Sequence, residues 1–266
     1  QGPAIAAAVV ADGNSNPALL HMTNDYGSGL AGSVKAAWTA LDSDGDGTNN
    51  ALCAEIGYAD TTTDFSSQVQ AVQDNGCDSV ILVSYDVDGA AVIEEMAANG
   101  DMYDSTTGTW NVSIFGGDGI AKTGIGASMS DNSSMAGVVA TLPASGAANA
   151  RTMAFNALCS AHPACDTGIY TKETFDAFLI MGYSIFTMMT SEGLTKAQVI
   201  GGVGTNFEGA AGIHTFGYDG NAADISPVNG YCVGTFSVDS TAESLLAFTC
   251  DRTFTEADGI QTVASS

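Results

Sequence analysis

The sequence predicts an α/β fold in which helices flank a parallel sheet. Three observations lead there. Short apolar segments of strand length alternate with segments of helical periodicity from Ala4 to Leu142. One of those strand segments, Ser79–Tyr85, is apolar almost throughout, as happens when both faces of a sheet are covered. The chain has 266 residues, 45% of them hydrophobic and only 14% charged, which supplies a sizeable core and argues against disorder.

The elements follow in order. Ala4–Asp12 is rich in alanine and reads as a helix stopped by Gly13, and Pro17–Met22 as a short strand. Ser28–Leu41 is helical, with Leu30, Val34, Ala37, Trp38 and Leu41 on one face. Leu52–Tyr58 is a second strand. Asp64 caps a helix running to about Val72, with Phe65, Val69 and Val72 at helical spacing. Ser79–Tyr85 is the third strand, Gly89–Asn99 a helix ended by Gly100, and Val112–Phe115 and Gly137–Leu142 two further strands. Strands and helices alternating at this spacing imply parallel pairing through right-handed crossovers. The second part differs. Thr171–Thr190 is a long helix capped by Thr171, and Leu194–Val199 a short one; Ile213–Tyr218 and Tyr231–Val238 are strands punctuated by glycine. Asp42–Asn50 and Asp101–Thr109 read as surface insertions. Phe175–Met189 is the most apolar stretch, but Asp176, Gly182, Tyr183, Ser184 and Thr187 interrupt it, so it reads as a buried helix rather than a membrane span.

Charge excludes several function classes. Six Lys and Arg stand against 30 Asp and Glu, a formal net charge of −24. Phosphate binding needs clustered cations, so nucleic acid is excluded as a partner and anionic membrane surfaces are disfavoured. The imbalance comes from scarce cations and suits a saline, screened medium. The run Ala4–Ala11 is too short to span a membrane, and without a basic region before it does not read as a signal peptide. Six cysteines, Cys53, Cys77, Cys159, Cys165, Cys232 and Cys250, make an even set. Neighbours in sequence pair as 53–77, 159–165 and 232–250; six buried thiols are the alternative. No C-x-x-C spacing occurs and no histidine sits at zinc-finger distance, which argues against zinc. Disulfides point to an extracytoplasmic protein. Catalysis has little support: there is no G-x-S-x-G, no H-E-x-x-H and no P-loop, and His21, His162 and His214 stand singly. No cofactor for chemistry is expected. Asn111-Val112-Ser113 and Asn132-Ser133-Ser134 match glycosylation sequons.

In an open parallel sheet, ligands bind beyond the carboxyl ends of the strands. Three such ends carry unusual residues here. Pro17–Met22 is followed by Thr23-Asn24-Asp25-Tyr26-Gly27, the third strand by Tyr85-Asp86, and Val112–Phe115 by Gly116-Gly117-Asp118-Gly119. Tyr26, Tyr85 and Asp118, with Asn24, Asp25 and Gly117 beside them, form the candidate ligand site. The glycines let backbone approach a ligand closely. A carboxylate there suits an ammonium group, and the tyrosines offer apolar walls with a hydroxyl or cation–π contact. The alternative is that Asp118 caps a helix and the tyrosines are half-buried packing.

The acidic insertion Asp42-Ser43-Asp44-Gly45-Asp46-Gly47-Thr48-Asn49-Asn50 fits D-x-D-x-D-G. Carboxylates at alternate positions can surround one hard cation, so Asp42, Asp44, Asp46, Thr48 and Asn50 are candidate ligands of a structural Ca2+. Cys53 stands where an EF-hand carries its bidentate Glu, so the loop is not a full EF-hand; a solvated acidic turn is the alternative.

Together these blocks resemble the type I periplasmic binding proteins, above all the branched-chain amino-acid (Leu/Ile/Val) substrate-binding proteins of ABC transporters. Asn24-Asp25-Tyr26-Gly27-Ser28-Gly29-Leu30-Ala31 resembles the family's NDYG-G-A segment, and Thr63-Asp64-Phe65-Ser66-Ser67-Gln68-Val69 its TDFS-QV helix start. Cys77–Val83, Phe115-Gly116-Gly117-Asp118-Gly119, Phe175-Asp176-Ala177 and the block from Phe207-Glu208-Gly209 to Phe216-Gly217-Tyr218-Asp219-Gly220 resemble its later segments in order. The resemblance implies a Rossmann-like parallel sheet flanked by helices, with part of a second lobe. It implies a ligand-binding lobe over 1–147, a helical segment of the other lobe over 148–212, and return strands with a C-terminal extension over 213–266. By resemblance, Tyr26 and Tyr85 line the cleft and Asp118 stands where the family's acid holds an α-ammonium. Asp in place of Glu shortens that reach. Nothing matches the family's first-lobe sheet, so the helices of Thr171–Val199 would need another cover: a further segment of a longer chain or a second chain. The expected function is capture of amino acids for an ABC transporter permease by lobe closure. The alternatives are a structural or assembly subunit using the same fold, or a ligand-sensing receptor domain.

Overall fold

The computed structural model describes residues 1–41, 50–144, 149–162, 165, 170–188, 207–214, 230–242 and 245–263. The chain divides into two units, Gln1–Leu142 with Tyr231–Ser266, and Pro143–Gly230.

The first unit is built on one sheet. Helix α1 (Gly2–Ala11) has proline in its first turn, where a missing N–H costs nothing, and ends before Gly13 at φ +82°. Then come β1 (Pro17–Met22), α2 (Asp25–Thr39), β2 (Ala54–Tyr58), α3 (Ser66–Asp74), β3 (Ser79–Val83), α4 (Asp86–Ala97), the short strands β4 (Tyr103–Asp104) and β5 (Thr109–Trp110), β6 (Ser113–Gly116) and β7 (Val139–Pro143). Strands β10 (Tyr231–Val238), β11 (Leu246–Thr255) and β12 (Gly259–Thr262) return to the same sheet. Its order is β12-β11-β10-β7-β6-β3-β1-β2. Strands β2, β1, β3, β6 and β7 pair in parallel, whereas β10, β11 and β12 pair with one another antiparallel.

Side-chain alternation along the central strands divides the core into two layers. Ala18, Leu20, Met22, Val80 and Leu82 face Val69 and Val72 of α3 and Ala90, Ile93 and Met96 of α4. Leu19, Ile81 and Val83 face Ile5 and Val9 of α1 and Val34 and Trp38 of α2. The period of two sends neighbouring residues to opposite faces, so the apolar run of β3 needs helices on both. Disulfides join Cys53 to Cys77 and Cys232 to Cys250, with Cα atoms 5.6 and 5.5 Å apart.

The second unit contains α5 (Ala150–Cys159), α6 (Thr171–Met188), β8 (Phe207–Glu208) and β9 (Ile213–His214), with a disulfide between Cys159 and Cys165. Asn149 caps α5 by accepting the N–H groups of Arg151 and Thr152 at 2.8 and 2.9 Å. Phe155, Cys159 and Ala210 form its small core, with Phe175 packed against it.

Three expectations change. Asp101–Thr109 is no plain insertion: β4 and β5 form a hairpin, and Met102 and Tyr103 are buried because two apolar side chains in that stretch reach the core. The sheet is mixed, because the C-terminal strands fold back as hairpins rather than through helical crossovers. The apolar side of α6 is not uniformly buried: Phe178 is 68% exposed, and Met181, Tyr183 and Ile185 are exposed as well. Phe178, Met181 and Ile185 recur at the spacing of a helix stripe meant for packing. The predicted helix Leu194–Val199 lies outside the described residues.

Candidate functional site

The strand order determines where the site forms. From β1 the chain crosses to β2 on one side, and from β2 to β3 on the other side of β1. The carboxyl ends of β1 and β3 therefore flank the point where the crossovers diverge, the position where ligands bind in open α/β sheets. Tyr26 follows β1, Tyr85 follows β3, and Asp118 follows β6.

Local chemistry holds each in position. The Asn24 carboxamide accepts the Gly27 N–H at 2.7 Å and starts α2 there, so Tyr26 rides on its first turn. A Cβ at Gly27 would stand 1.9 Å from the Met22 carbonyl oxygen, so only glycine lets the helix begin this close to the strand. Tyr85 caps α4 and is 42% exposed. The two rings stack, with centroids 4.9 Å apart and planes inclined by 19°. The Tyr26 hydroxyl donates to Asp118 Oδ1 at 3.1 Å and accepts the Gly119 N–H at 3.2 Å. Asp118 is buried. Burial pushes the Tyr26 phenol well above its usual range, and the neighbouring Asp118 carboxylate adds to the rise, so the hydroxyl keeps its proton. Gly117 leaves room for the same contact: a Cβ there would lie 2.9 Å from Leu30 and 3.1 Å from the Tyr26 hydroxyl. A carboxylate beside the hydroxyl of a stacked phenol can hold an ammonium group whose carbon skeleton lies against the aromatic pair.

Of the six residues singled out from sequence for ligand binding, Tyr26, Tyr85, Asp118 and Gly117 come together. Asn24 is engaged as a cap, with its Nδ2 donating to Met22 Sδ at 2.8 Å. Asp25 is exposed in the first turn of α2, where its charge complements the helix dipole. The calcium expectation at Asp42, Asp44, Asp46 and Thr48 lies outside the described residues; the N–H of Asn50, its last member, donates to the Leu41 carbonyl at 3.1 Å. Among the described residues no group of three or more His, Cys, Asp and Glu is arranged to hold a metal ion.

Two residues were missed. The Asp88 carboxylate accepts the Tyr85 N–H at 3.1 Å and also the Tyr58 hydroxyl, at a short contact. The signal available was an acid at the third position of a helix, where it can accept the N–H of the capping residue. Tyr58 carried no local signal. His214, read as standing singly, is also partnered. Its Nε2 lies 2.9 Å from Asp176, whose fully buried carboxylate accepts the N–H groups of Ala210 and Ala211 at 2.6 and 2.8 Å. This clasp ties α6 to the β8–β9 hairpin. Among the described residues, no helix is long and apolar enough to cross a membrane.

Solved structures share the fold. A leucine-binding protein from Thermotoga maritima MSB8 superposes with a TM-score of 0.68 at 16% identity, over 94% of this chain and 64% of its own. A branched-chain amino-acid transporter substrate-binding protein from Streptococcus pneumoniae str. Canada MDR_19A, in complex with isoleucine, gives 0.64 at 15%, over 88% and 61%. An ABC-transporter solute-binding protein from R. palustris, in complex with benzoate, gives 0.64 at 13%, over 99% and 64%. The chain thus spans less than two thirds of the length of these structures. No curated protein matches it. The profile of the periplasmic binding protein family matches residues 1–218, most of the sequence and all of the strand ends that carry the stacked tyrosines and Asp118; the chain belongs to that family.

Proposed function

We propose that this chain provides the ligand-gripping lobe of an extracytoplasmic solute-binding protein that captures amino acids, of the branched-chain type, for an ABC transporter by lobe closure. The observation that carries the reading is the cluster of Tyr26, Tyr85 and Asp118 at the divergence of β1 and β3. Asp118 takes the ligand's ammonium, and the tyrosine faces cover its carbon skeleton. Structures of similar fold hold isoleucine in one case and benzoate in another. The chemistry of this cluster separates the two. A benzoate carboxylate brought beside Asp118 would meet a like charge, whereas an amino acid brings its own cation. Two tyrosines and a carboxylate supply no positive charge to an anion.

The test is a thermal melt against L-amino acids and substituted benzoates. A ligand at about 100 times its Kd adds roughly 2.7 kcal/mol of stability. The expected result is a shift with apolar L-amino acids and none with benzoates. Asp118→Asn is expected to weaken the amino acid by about tenfold to a hundredfold, the worth of a charge-assisted hydrogen bond. Unchanged affinity in that variant would overturn the assignment. Repeating the melt with a calcium chelator tests the acidic loop Asp42–Asn50, whose sequence supports a structural Ca2+. The exposed stripe of Phe178, Met181 and Ile185 favours a second reading, an assembly subunit. Concentration-dependent oligomers without any ligand response would support it.

A further inference from the structure

The two stacked tyrosines are delivered by separate strand-to-helix connections, the loops after β1 and β3, and Tyr85 is 42% exposed. Something must hold them in register, and the contacts converge on Tyr58 at the end of edge strand β2. At its backbone, the Tyr58 carbonyl accepts both the N–H of Thr23 at 2.9 Å and the Thr23 hydroxyl at 3.0 Å. Thr23 begins the short segment that delivers Tyr26. At its side chain, the Tyr58 hydroxyl meets Asp88 Oδ2, and the other oxygen of that carboxylate accepts the N–H of Tyr85. One residue is therefore tied to both loops. Tyr58 is itself well fixed: it is 3% exposed and its ring meets Phe65 edge-on, with centroids 5.1 Å apart at 90°. Ring packing alone does not call for the hydroxyl. A buried phenol needs a partner for its hydroxyl, and here the partner is the same carboxylate that holds the backbone of Tyr85.

We propose that Tyr58 and Asp88 are positioning residues of the binding wall: the pair pins the start of α4 and so sets Tyr85 against Tyr26. The role assigned to them acts through Tyr85 rather than through contact with the ligand. The affinity consequence rests on the amino-acid reading given above; the effect on the stack does not.

The experiment measures near-ultraviolet circular dichroism of the tyrosines and amino-acid affinity side by side. The difference between the wild type and Tyr85→Leu defines the signature of the stack. Tyr58→Phe keeps the ring and removes the hydroxyl; it is expected to lose most of that signature and to weaken amino-acid binding about fivefold, the usual worth of one hydrogen bond. Asp88→Ala is expected to do the same, and it tests the same link if Tyr58→Phe does not fold. Asp88→Asn keeps an oxygen for the Tyr85 N–H and is expected to restore the signature. A merely structural pair would lower the melting temperature and leave the signature alone. Folded Tyr58→Phe or Asp88→Ala with the wild-type signature would overturn the proposal. Should the wild type bind no amino acid, the ligand reading falls, and the dichroism still decides the positioning role.

Discussion

At the residue scale, the site depends on backbone approaching backbone. Gly119 shows how tightly: a Cβ there would stand 2.1 Å from the Ser84 carbonyl oxygen and 2.9 Å from the Tyr26 hydroxyl. The loop after β6 can lie against the end of β3 only without a side chain. Gly119→Ala must push the loop outward, which is expected to cost about 1–3 kcal/mol and to separate Asp118 from the Tyr26 hydroxyl. Chemical denaturation measures the first effect and amino-acid affinity the second. A variant as stable as the wild type would show that the loop relaxes freely. Tyr26, Tyr85 and Asp118 were legible in the sequence because polar and aromatic residues directly after apolar strands are unusual there. Tyr58 was not, since a tyrosine ending a strand reads as ordinary packing until the partner of its hydroxyl is seen.

At the scale of elements, capping chemistry set boundaries that apolar periodicity missed. The apolar pattern starts a helix at Ser28, but Asn24 accepts the Gly27 N–H and α2 begins at Asp25. The first turn carries capping and dipole chemistry instead of an apolar face, with Asp25 exposed there. A similar polar contact fixes the far side of α4. Glu94 Oε1 accepts the hydroxyl of Ser130 at 2.6 Å and the N–H of Asp131 at 3.2 Å, along with the Ser130 N–H. Burial alone would raise the Glu94 carboxyl, but those hydrogen bonds outweigh it and hold it below its ordinary value. A group lowered on folding contributes stability above its unfolded value of 4.5, and that stability is lost as pH falls through the lower folded value. Glu94→Gln is therefore expected to be less stable than the wild type at neutral pH, by less than about 1 kcal/mol because solvent screens the site. The gap should close as the pH drops into the acid range. A pH series of denaturation midpoints checks it; a gap that persists in acid would mean the hydrogen bonds do not depend on the charge.

At the scale of the whole molecule, the disulfide Cys53–Cys77 joins the chain just before β2 to the chain just before β3, at the amino ends of the strands. The site lies at their carboxyl ends. Replacing both cysteines by serine is expected to cost about 3 kcal/mol, roughly 6–12 °C in melting temperature, and to leave amino-acid affinity unchanged. Affinity falling in step with stability would mean that the bridge also shapes the site. The sequence by itself determined the α/β class, the segments β1 and β10 to the residue, the covering of β3 on both faces, and the residues that stand at three strand ends. Each of these rests on local sterics and on the period of two or 3.6, which neighbouring residues dictate. The resemblance implied return strands over 213–266; only the tertiary structure decided that β10, β11 and β12 extend the sheet of the first unit, in that order and antiparallel to one another. The same holds for the stacking of Tyr26 on Tyr85 and for the tie from Tyr58 to both loops. These are pairings between positions far apart in the chain. Strand order and the closing of long loops decide them, and no short stretch of sequence carries that information.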